Sequence, residues 1–422
     1  MTPLRRLAPI LRPRSRRKLP PELRPENVGS LGAALPRGVH DPDFEPLLRR
    51  IDEAPIHRGN RVTIFHRGEE AFQSMRRAIE SAASEVLLES YIFRDDATGW
   101  DIRALLGDAA SRGVEVRVLA DAFGSWSTRS AFWEAMRSQG VEVRLFHPVL
   151  SDFRFQFFRD HRKILVVDRR VAFTGGMNIA KEYGSPRSRH PGRTWRDTHA
   201  RVEGPAAWEL AVVFSEAWHR AGGTPLEIPA LMVEPSEPSS GASVLILDSR
   251  PRRGHRESAA VLAAIVGSAR HSVLITNAYF APRFLAVEAL GAAVRRGVDV
   301  RLLLPGLSDL PLVRHAGHGY FDALFERGVR VFEYGGAVLH AKSMVADEFV
   351  TVVGSTNLDF RSFRFNAECN LVVLDENTGA GMASAFEEDL SRSEEIRPEA
   401  WNRRSFRHRW GDALARSLSP LL

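Results

Sequence analysis

Cysteine, lysine and long apolar runs are scarce in this chain of 422 residues. The single cysteine, Cys369, excludes an internal disulfide and a cysteine-rich metal site. No uninterrupted apolar stretch reaches the length of a membrane-spanning helix, about 18 residues, so we expect any membrane contact to be peripheral. The rest of the composition, 44% hydrophobic and 26% charged, indicates a folded chain of two or three domains.

The basic residues are concentrated at the two ends of the chain. Residues 1–30 hold eight basic and two acidic residues, and the last 22 hold five basic and one acidic. Because the formal charge of the whole chain is +6, residues 31–400 sum to −4. Phosphate tracking along nucleic acid needs a basic groove, so we expect no nucleic-acid partner. The cationic ends predict contact with an anionic surface.

The same order of segments occurs twice, at offsets of 184 to 188 residues. The paired segments are 86–93 with 273–280, 112–119 with 296–303, and 140–146 with 328–334. In each pair a helical stretch ends and an apolar, β-rich run follows. This alternation predicts an α/β fold of two duplicated α-β-α sandwich domains, each with a mixed, largely parallel sheet.

Turn-forming residues between 222 and 241 separate the two halves. We predict a flexible basic arm at 1–45, a first domain at 46–234 and a second domain at 235–398. A basic amphipathic tail is predicted at 399–422, because Trp410, Leu414 and Leu418 recur there at helical spacing.

A motif with identical spacing follows the third predicted strand of each half. Its first copy is His161, Lys163, Asp168, Gly175 and Asn178; its second is His340, Lys342, Asp347, Gly354 and Asn357. Two of the four lysines in the chain belong to it. Residues two apart on a strand share a face, so each histidine and its lysine can converge on one anion, and a compact ammonium suits a phosphate oxygen.

Two such sets facing one phosphorus would form a phosphoryl-transfer site that needs no metal or cofactor. One histidine would act as nucleophile and the other as general acid and then base. We expect Lys163, Lys342, Asn178 and Asn357 to bind phosphoryl oxygens, with Ser355 as an extra donor. The aspartates complete the catalytic motif, and we expect them to orient neighbours rather than react.

The duplicated pattern HxKxxxxDxxxxxxG[GS]xN resembles the phospholipase D superfamily, over about residues 60–395. Flanking segments 195–205, 354–368 and 414–422 are similar to the bacterial cardiolipin synthase branch, in a short form without that branch's membrane-spanning hairpin. The resemblance implies two phospholipase D-like domains with the active site at their interface. It also implies a peripheral protein, on the cytoplasmic face of the cell membrane.

By this resemblance, a phosphatidyl group passes from one phosphatidylglycerol to another through a phosphohistidine, giving cardiolipin and glycerol. The partners would be phosphatidylglycerol and the anionic membrane surface. The resemblance favours His161 as the nucleophile and His340 as the acid and base. It implies that Asp197 and Glu368 hold the histidine rings. Gly176, where the pattern often has serine, predicts unequal half-sites.

There are three alternatives to this function. A phospholipase D would use the same residues to transfer the phosphatidyl group to water, and a nuclease is an alternative because the superfamily includes nucleases. A noncatalytic scaffold is disfavoured, because it would not need both motifs intact. Asp160, next to His161, could offset local positive charge.

Three further features have ordinary interpretations. His315 and His318 lack a third ligand in sequence, so we expect no metal there. Cys369 is expected to pack as a small hydrophobe. The aromatic stretch 153–159 is either a half-buried strand or, through Phe155 and Phe157, a mouth for acyl chains.

Overall fold

The computed structural model describes residues 19–147, 157–184, 195–228, 241–250, 254–282 and 284–418. The strands of these residues are β1 Ile56–Phe65, β2 Glu85–Ser90, β3 Glu115–Asp121, β4 Glu142–Phe146, β5 Lys163–Val167, β6 Val171–Gly175, β7 Trp195–Arg196, β8 His199–Glu203, β9 Ala242–Ser249, β10 Ser272–Asn277, β11 Asp299–Leu307, β12 Arg330–Leu339, β13 Lys342–Ala346, β14 Val350–Gly354, β15 Glu368–Leu374 and β16 Ser393–Glu395.

The α-helices are α1 Val28–Ala34, α2 Phe44–Asp52, α3 Gly68–Glu80, α4 Ala97–Ser111, α5 Ser130–Ser138, α6 Lys181–Gly184, α7 Pro205–Arg220, α8 His255–Ser268, α9 Phe284–Arg295, α10 Pro311–His318, α11 Phe321–Phe325, α12 Glu376–Leu390, α13 Pro398–Asn402 and α14 Phe406–Leu418. Short 3-10 helices lie at Pro21–Leu23 and Gly38–His40.

The duplication predicted from sequence is confirmed in the strand pairing. In the first half β2, β3 and β4 are parallel neighbours, and β5 and β6 continue the sheet beside β2. In the second half β10, β11 and β12 are parallel, and β13 and β14 continue beside β10. The three repeated segments of each half therefore form its parallel strands.

Each sheet is mixed, as predicted, but its antiparallel part is larger than the sequence pattern suggested. The helix and strand alternation that precedes each motif ends at β4 in the first half and at β12 in the second. The strands that follow each motif histidine are joined by tight hairpins instead. At the turn of the first hairpin Asp168 and Arg169 have φ of 50° and 55°, and Asp347 and Glu348 repeat this at 51° and 50°. Two consecutive residues with positive φ form a tight turn that reverses the chain, so the strands on either side of it pair antiparallel. Accordingly, β5 pairs antiparallel with β6, and β13 with β14.

The two halves join edge to edge through β1 and β9. Ile56 pairs with Leu245 in antiparallel register, so the described strands of both halves form one continuous sheet. Outer cores lie under α3, α4 and α5 on the first half and under α8 and α9 on the second. A third core, with α7 and α12, contains residues of both halves. The predicted boundary at 234–235 lies outside the described residues.

The flexible arm predicted for residues 1–45 is wrong for its described part. Helices α1 and α2 pack on α8, and Val28 and Leu48 are fully buried in the core of the second half. Apolar residues spaced between the arginines of this segment provide that packing. The segment before residue 56 therefore covers the second half rather than the first.

The C-terminal tail is also folded, because α14 lies against α10. Trp401 and Ala415 are buried, whereas Trp410 and Leu414 are exposed by 62% and 48%. Within the described residues, no helix is both long and apolar enough to span a bilayer.

Candidate active site

The two motif histidines lie two residues before strands β5 and β13, where the halves meet. The His161 amide donates to the carbonyl of Ala367, at 2.9 Å, and the His340 amide donates to that of Arg196, at 2.8 Å. Each motif is thus fixed to the other half, next to that half's acidic residue. Both imidazoles are buried, and both neighbouring acids, Asp197 and Glu368, are almost completely so.

Glu368 holds His161 across the interface between the halves. Its Oε2 lies 3.0 Å from Nδ1 of His161 and 2.5 Å from the hydroxyl of Ser355. Its other oxygen accepts from Ser362, at 2.8 Å, and from Asn366, at 3.3 Å. Burial opposes ionisation of Glu368, but His161, Lys163 and the Ser355 hydroxyl lower its pKa below the ordinary value. The carboxylate is therefore a fixed anion aimed at the ring.

Asp197 holds His340 in the same way, again from the opposite half. Its Oδ2 is 2.7 Å from Nδ1 of His340, and its Oδ1 accepts from the Thr198 amide. Lys342 Nζ lies 2.9 Å from the same ring nitrogen and also donates to the His340 carbonyl. One nitrogen cannot both donate to a carboxylate and accept from an ammonium. The carboxylate contact is the shorter, and it makes Nδ1 the protonated nitrogen and Nε2 the basic one.

Both histidines are held neutral. Burial, together with Lys342, lowers the pKa of His340 to about 4 against the opposing effect of Asp197. Burial also lowers the pKa of His161, with Lys163 adding to it and Glu368 opposing it. A neutral imidazole with a free Nε2 is the form that can attack phosphorus or accept a proton.

The two lysines flank the histidines and carry depressed pKa values. Burial lowers the pKa of Lys163 to about 7 and that of Lys342 to about 8. Lys163 Nζ donates to the His161 carbonyl at 2.5 Å and lies 5.2 Å from the ring of Tyr91. Lys342 lies 5.8 Å from the ring of Tyr279. These ammonium groups are positioned to neutralise an anion between the histidines.

Of the predicted phosphate ligands, Asn178 and Ser355 already have partners inside the protein. Asn178 accepts from the Ile92 amide at 3.0 Å and donates to the Tyr183 hydroxyl at 2.9 Å. Ser355 donates to Glu368 and accepts from the Cys369 amide. Asn357 Oδ1 is buried without a hydrogen-bond partner in the described part of the chain. Phosphate binding by these three residues stays a prediction.

The motif aspartates do not lie with the histidines. Asp168 follows the far end of β5, roughly 16 Å along the strand from Lys163 at about 3.3 Å per residue. It accepts from the amides of Ala83, Ser84 and Glu85 and from the Ser84 hydroxyl. Asp347 accepts from three consecutive amides, those of residues 270–272. Asp168 and Asp347 fix the turns that precede β2 and β10, which agrees with the expectation that they orient neighbouring residues. Their distance from the histidines does not support a catalytic role.

Gly176 and Ser355 are equivalent positions with different neighbours. The Gly176 amide donates to the carbonyl of Thr198, and the Ser355 amide to that of Cys369, the residues that follow Asp197 and Glu368. A Cβ atom at Gly176 would lie 2.1 Å from Asp197 Oδ1. The shorter aspartate thus needs glycine beside it, whereas the longer glutamate accepts a hydrogen bond from serine. The predicted inequality of the half-sites has this physical basis.

Aromatic residues near His340 were missed by the sequence interpretation. The Tyr183 hydroxyl lies 3.3 Å from Nδ1 of His340, and the ring of Trp195 is centred 4.9 Å from the imidazole. Trp195 belongs to β7, a two-residue strand that pairs with β12. No periodic pattern marks such a short strand, and only its nearness to Asp197 in sequence could have indicated it.

Arg162, between His161 and Lys163, forms a further buried contact between the halves. Its guanidinium donates to Asp248 and to the Ser249 carbonyl of the second half, and it lies 3.8 Å from Asp160. Asp160 thus offsets the positive charge of the neighbouring Arg162 guanidinium. The second motif has Ala341 at this position, so the contact has no counterpart there.

A third possible metal ligand, Asp412 on α14, lies beside His315 and His318 in the structure. The spacing of these residues in the sequence did not reveal it. Their candidate ligand atoms lie within 4.8 Å of one another. His315 bonds to Asp412 at 2.8 Å, His318 Nε2 to Glu333 at 2.9 Å, and Arg404 to Asp412 at 2.6 Å. These bonds tie α14 to α10 and account for the cluster, and the expectation of no metal stays a prediction.

Two other expectations concern apolar residues. Cys369 is fully buried on β15 within the shared core, which confirms its packing role. Phe155 lies outside the described residues. Phe157 is 54% exposed, with its ring 6.4 Å from that of Phe365.

Comparison with known proteins identifies the fold and the family of this chain. A solved structure, phosphatidylserine synthase of Haemophilus influenzae Rd KW20, matches with a TM-score of 0.67 over 89% of this chain and 97% of that one, at 12% identity. That likeness concerns the fold alone.

Curated relatives are closer in sequence. A cardiolipin synthase of Geobacillus kaustophilus is 35% identical over 92% of this chain and 78% of its own length. Cardiolipin synthase A of Pseudomonas aeruginosa is 37% identical over 89% of this chain and 76% of its own length. The family model described as cardiolipin synthase, PLD-like domain, matches residues 75–185 and 262–390, and so contains both histidine motifs. The chain therefore belongs to the cardiolipin synthase family of phospholipase D-like proteins.

Proposed function

We propose that this protein is a cardiolipin synthase, a phosphatidyltransferase that converts two phosphatidylglycerol molecules into cardiolipin and glycerol. The observation that carries the proposal is the crossed pair of histidines. Each is buried and neutral, and each is held at Nδ1 by a carboxylate of the opposite half. The family relationship supplies the phospholipid as the substrate class.

In the first step, Nε2 of His161 attacks the phosphorus of one phosphatidylglycerol. The nitrogen–phosphorus bond forms as the bond from phosphorus to the glycerol oxygen breaks, and His340 gives that oxygen a proton. His340 must first become protonated, although its pKa is about 4 without substrate. The bound phosphodiester anion raises that pKa, because an adjacent negative charge favours the imidazolium.

In the second step, a hydroxyl of another phosphatidylglycerol attacks the phosphohistidine. His340 takes the hydroxyl proton, and the bond between phosphorus and His161 breaks. Lys163 and Lys342 stabilise the charge on the phosphoryl oxygens in both steps. Glu368 stabilises the positive charge that develops on the His161 ring.

Hydrolysis to phosphatidic acid is the second candidate, because water could attack the same intermediate. The burial of both histidines and both lysines favours transfer to a lipid hydroxyl over hydrolysis.

We also propose that the protein binds the cytoplasmic face of an anionic membrane peripherally. On α14, Asp412 and Ala415 face the protein, whereas Trp410 and Leu414 are exposed one turn apart. An exposed tryptophan and leucine next to a basic segment fit the interface of an anionic bilayer.

The function is tested by incubating purified protein with phosphatidylglycerol vesicles in the presence of a chelator and separating the lipids. Cardiolipin with glycerol is the expected result. Phosphatidic acid alone would show a hydrolase, and DNA cleavage without either lipid product would reject both lipid activities.

Variants His161→Ala and His340→Ala should each abolish the reaction. His271→Ala is the matched control, because His271 is exposed immediately before β10, outside the site. Full activity in either motif variant would contradict a shared site. Trapping the phosphorylated histidine in a rapid quench would show which one is the nucleophile.

A further inference from the structure

A cavity of about 310 Å³ lies in the second half, beside the catalytic lysine of that half. Its inner end is formed by the buried lining residues Lys342, Asn277 and Thr356, of which Asn277 pairs with Lys342 across β10 and β13. It continues between the sheet and helices α8 and α9, and its outer end is lined by Arg24, Arg256 and Leu285. One end of the cavity therefore adjoins the predicted phosphate position.

The middle of the cavity is apolar. Ile275, Met344 and Val352 of the sheet form one wall, and Leu262, Ala289 and Leu290 of the helices form another. The polar groups at the inner end are tied to the protein: Asn277 accepts from the Leu358 amide, and Thr356 accepts from Asn370. The cavity thus offers an apolar ligand few unsatisfied polar groups along its middle, and its cations lie at its two ends, Lys342 at the inner end and Arg24 and Arg256 at the outer end.

The outer end opens towards solvent and is partly built by the segment before β1. Leu285 is 43% exposed, and Arg256 is exposed. Arg24 and Pro25 reach this end because α1, just after them in sequence, packs on α8. The N-terminal segment therefore has a specific task in this fold, which is to wall one side of the cavity.

We propose that this cavity binds one acyl chain of the phospholipid whose phosphate lies between His161 and His340. The proposal rests on the proposed function. To bring its phosphate to buried histidines, a phospholipid must withdraw part of its acyl chains from the bilayer. Each methylene left in water would reduce affinity about fourfold. An apolar channel that starts at Lys342 removes that loss.

The size of the cavity fits this occupant. Its volume is many times the roughly 10 to 15 Å³ that a cavity needs to hold one water molecule, so several consecutive methylene groups fit in it. It therefore holds the part of a chain nearest the headgroup, and the rest of the chain leaves past Leu285.

The first test labels the wild-type protein with phosphatidylglycerol that carries a diazirine in the middle of one acyl chain. We expect cross-links in peptides 255–268 and 284–295. Cross-links confined to the first half, or to the aromatic residues around Phe157 and Phe365, would overturn the proposal.

The second test narrows the cavity with Ala289→Leu and Ala289→Trp. For each variant, kcat/KM is measured with dioleoyl and dihexanoyl phosphatidylglycerol in the same nonionic micelles. The preference for the longer chains should fall at least about tenfold with Trp and by less with Leu. Ala380→Trp, on the exposed surface of α12, places the same side chain away from the cavity and should keep the preference. An unchanged preference in both Ala289 variants would contradict the assignment.

The two proposals fail differently. If the wild-type protein made no cardiolipin from lipids of any chain length, the proposed function would be wrong. The position of the diazirine cross-links would still decide whether an acyl chain occupies this cavity.

Discussion

Nδ1 of His161 and Oε2 of Glu368 lie 3.0 Å apart, although 207 residues separate them in sequence. The equivalent pair, His340 and Asp197, is crossed in the opposite direction over 143 residues. Each half supplies one histidine and the carboxylate for the other, so neither half contains a complete site.

Glu368→Gln should reduce kcat by about 10³- to 10⁴-fold while the protein stays folded. An amide cannot stabilise the imidazolium, and it favours the wrong tautomer of the ring it contacts. The measurement is the rate of cardiolipin formation, with circular dichroism to check the fold. Glu376→Gln, at an exposed position of α12, is the matched control, and a Glu368 variant as active as this control would refute the role.

Gly176→Ser should reduce activity strongly, because its Cβ would lie 2.1 Å from Asp197 Oδ1. Adding Asp197→Glu recreates the serine and glutamate combination of the second half, and we expect this double variant to recover part of the loss. The quantity to measure is the coupling in a double-mutant cycle of kcat/KM. Strictly additive effects would mean that the two positions do not interact as described.

Asp168→Asn should destabilise the fold by about 1 to 3 kcal/mol and lower kcat less than tenfold. The carboxylate accepts four hydrogen bonds at the turn before β2, some of which an amide cannot accept. Urea denaturation gives the stability, and Asp322→Asn, at an exposed site on α11, is the control. A loss of activity as large as that of His161→Ala would contradict a structural role.

The same variant tests a pH dependence. Burial opposes ionisation of Asp168, but the amides of residues 83–85 lower its pKa below the ordinary value of about 3.9. A carboxyl with a depressed pKa contributes stability above its unfolded pKa and loses it as pH falls through the folded pKa. The stability difference between wild type and Asp168→Asn should therefore be present at pH 7 and shrink below about pH 4.

Activity should fall at alkaline pH through the lysines. The pKa values of Lys163 and Lys342 are about 7 and about 8, so rising pH removes the charges that bind phosphate. We expect kcat/KM, which reports the free enzyme, to decline above about pH 7. The decline in kcat should be smaller, because bound phosphate restores the ammonium form. A flat kcat/KM between pH 7 and 9.5 would exclude this role of the lysines.

Deleting residues 1–18 should weaken binding to anionic vesicles without disturbing the described fold, which starts at residue 19. The deletion removes seven basic residues, each of which contributes about 1 kcal/mol when well placed at an anionic surface. Cosedimentation at two salt concentrations measures the effect, with neutral vesicles as the control. Deletion to residue 24 is a poorer test, because Leu19 and Leu23 are buried. Unchanged binding would leave the charge of the arm unexplained.

Sequence reasoning succeeded where local patterns repeat. The offsets of the three segment pairs predicted the duplicated strands, and the identical spacing predicted which histidines and lysines meet. It could not show that Glu368 contacts His161 rather than His340, because that pairing depends on how the two halves dock. The flexible arm predicted at 1–45 is wrong for residues 19–45, because the apolar residues between the arginines and prolines there pack on the second half. The cavity beside Lys342 arises from the packing of α8, α9 and the N-terminal segment, and no single segment encodes it.

The burial of α1 and α2 on α8 has a consequence for how the protein is made. These helices are synthesised before α8, but their binding surface includes Val261 and Ala264, which follow about 200 residues later. Until then Val28, Phe44 and Leu48 have no core to enter, and such exposed apolar surface promotes aggregation of nascent chains. Helices α1 and α2 can therefore reach their native positions only after α8 has been synthesised.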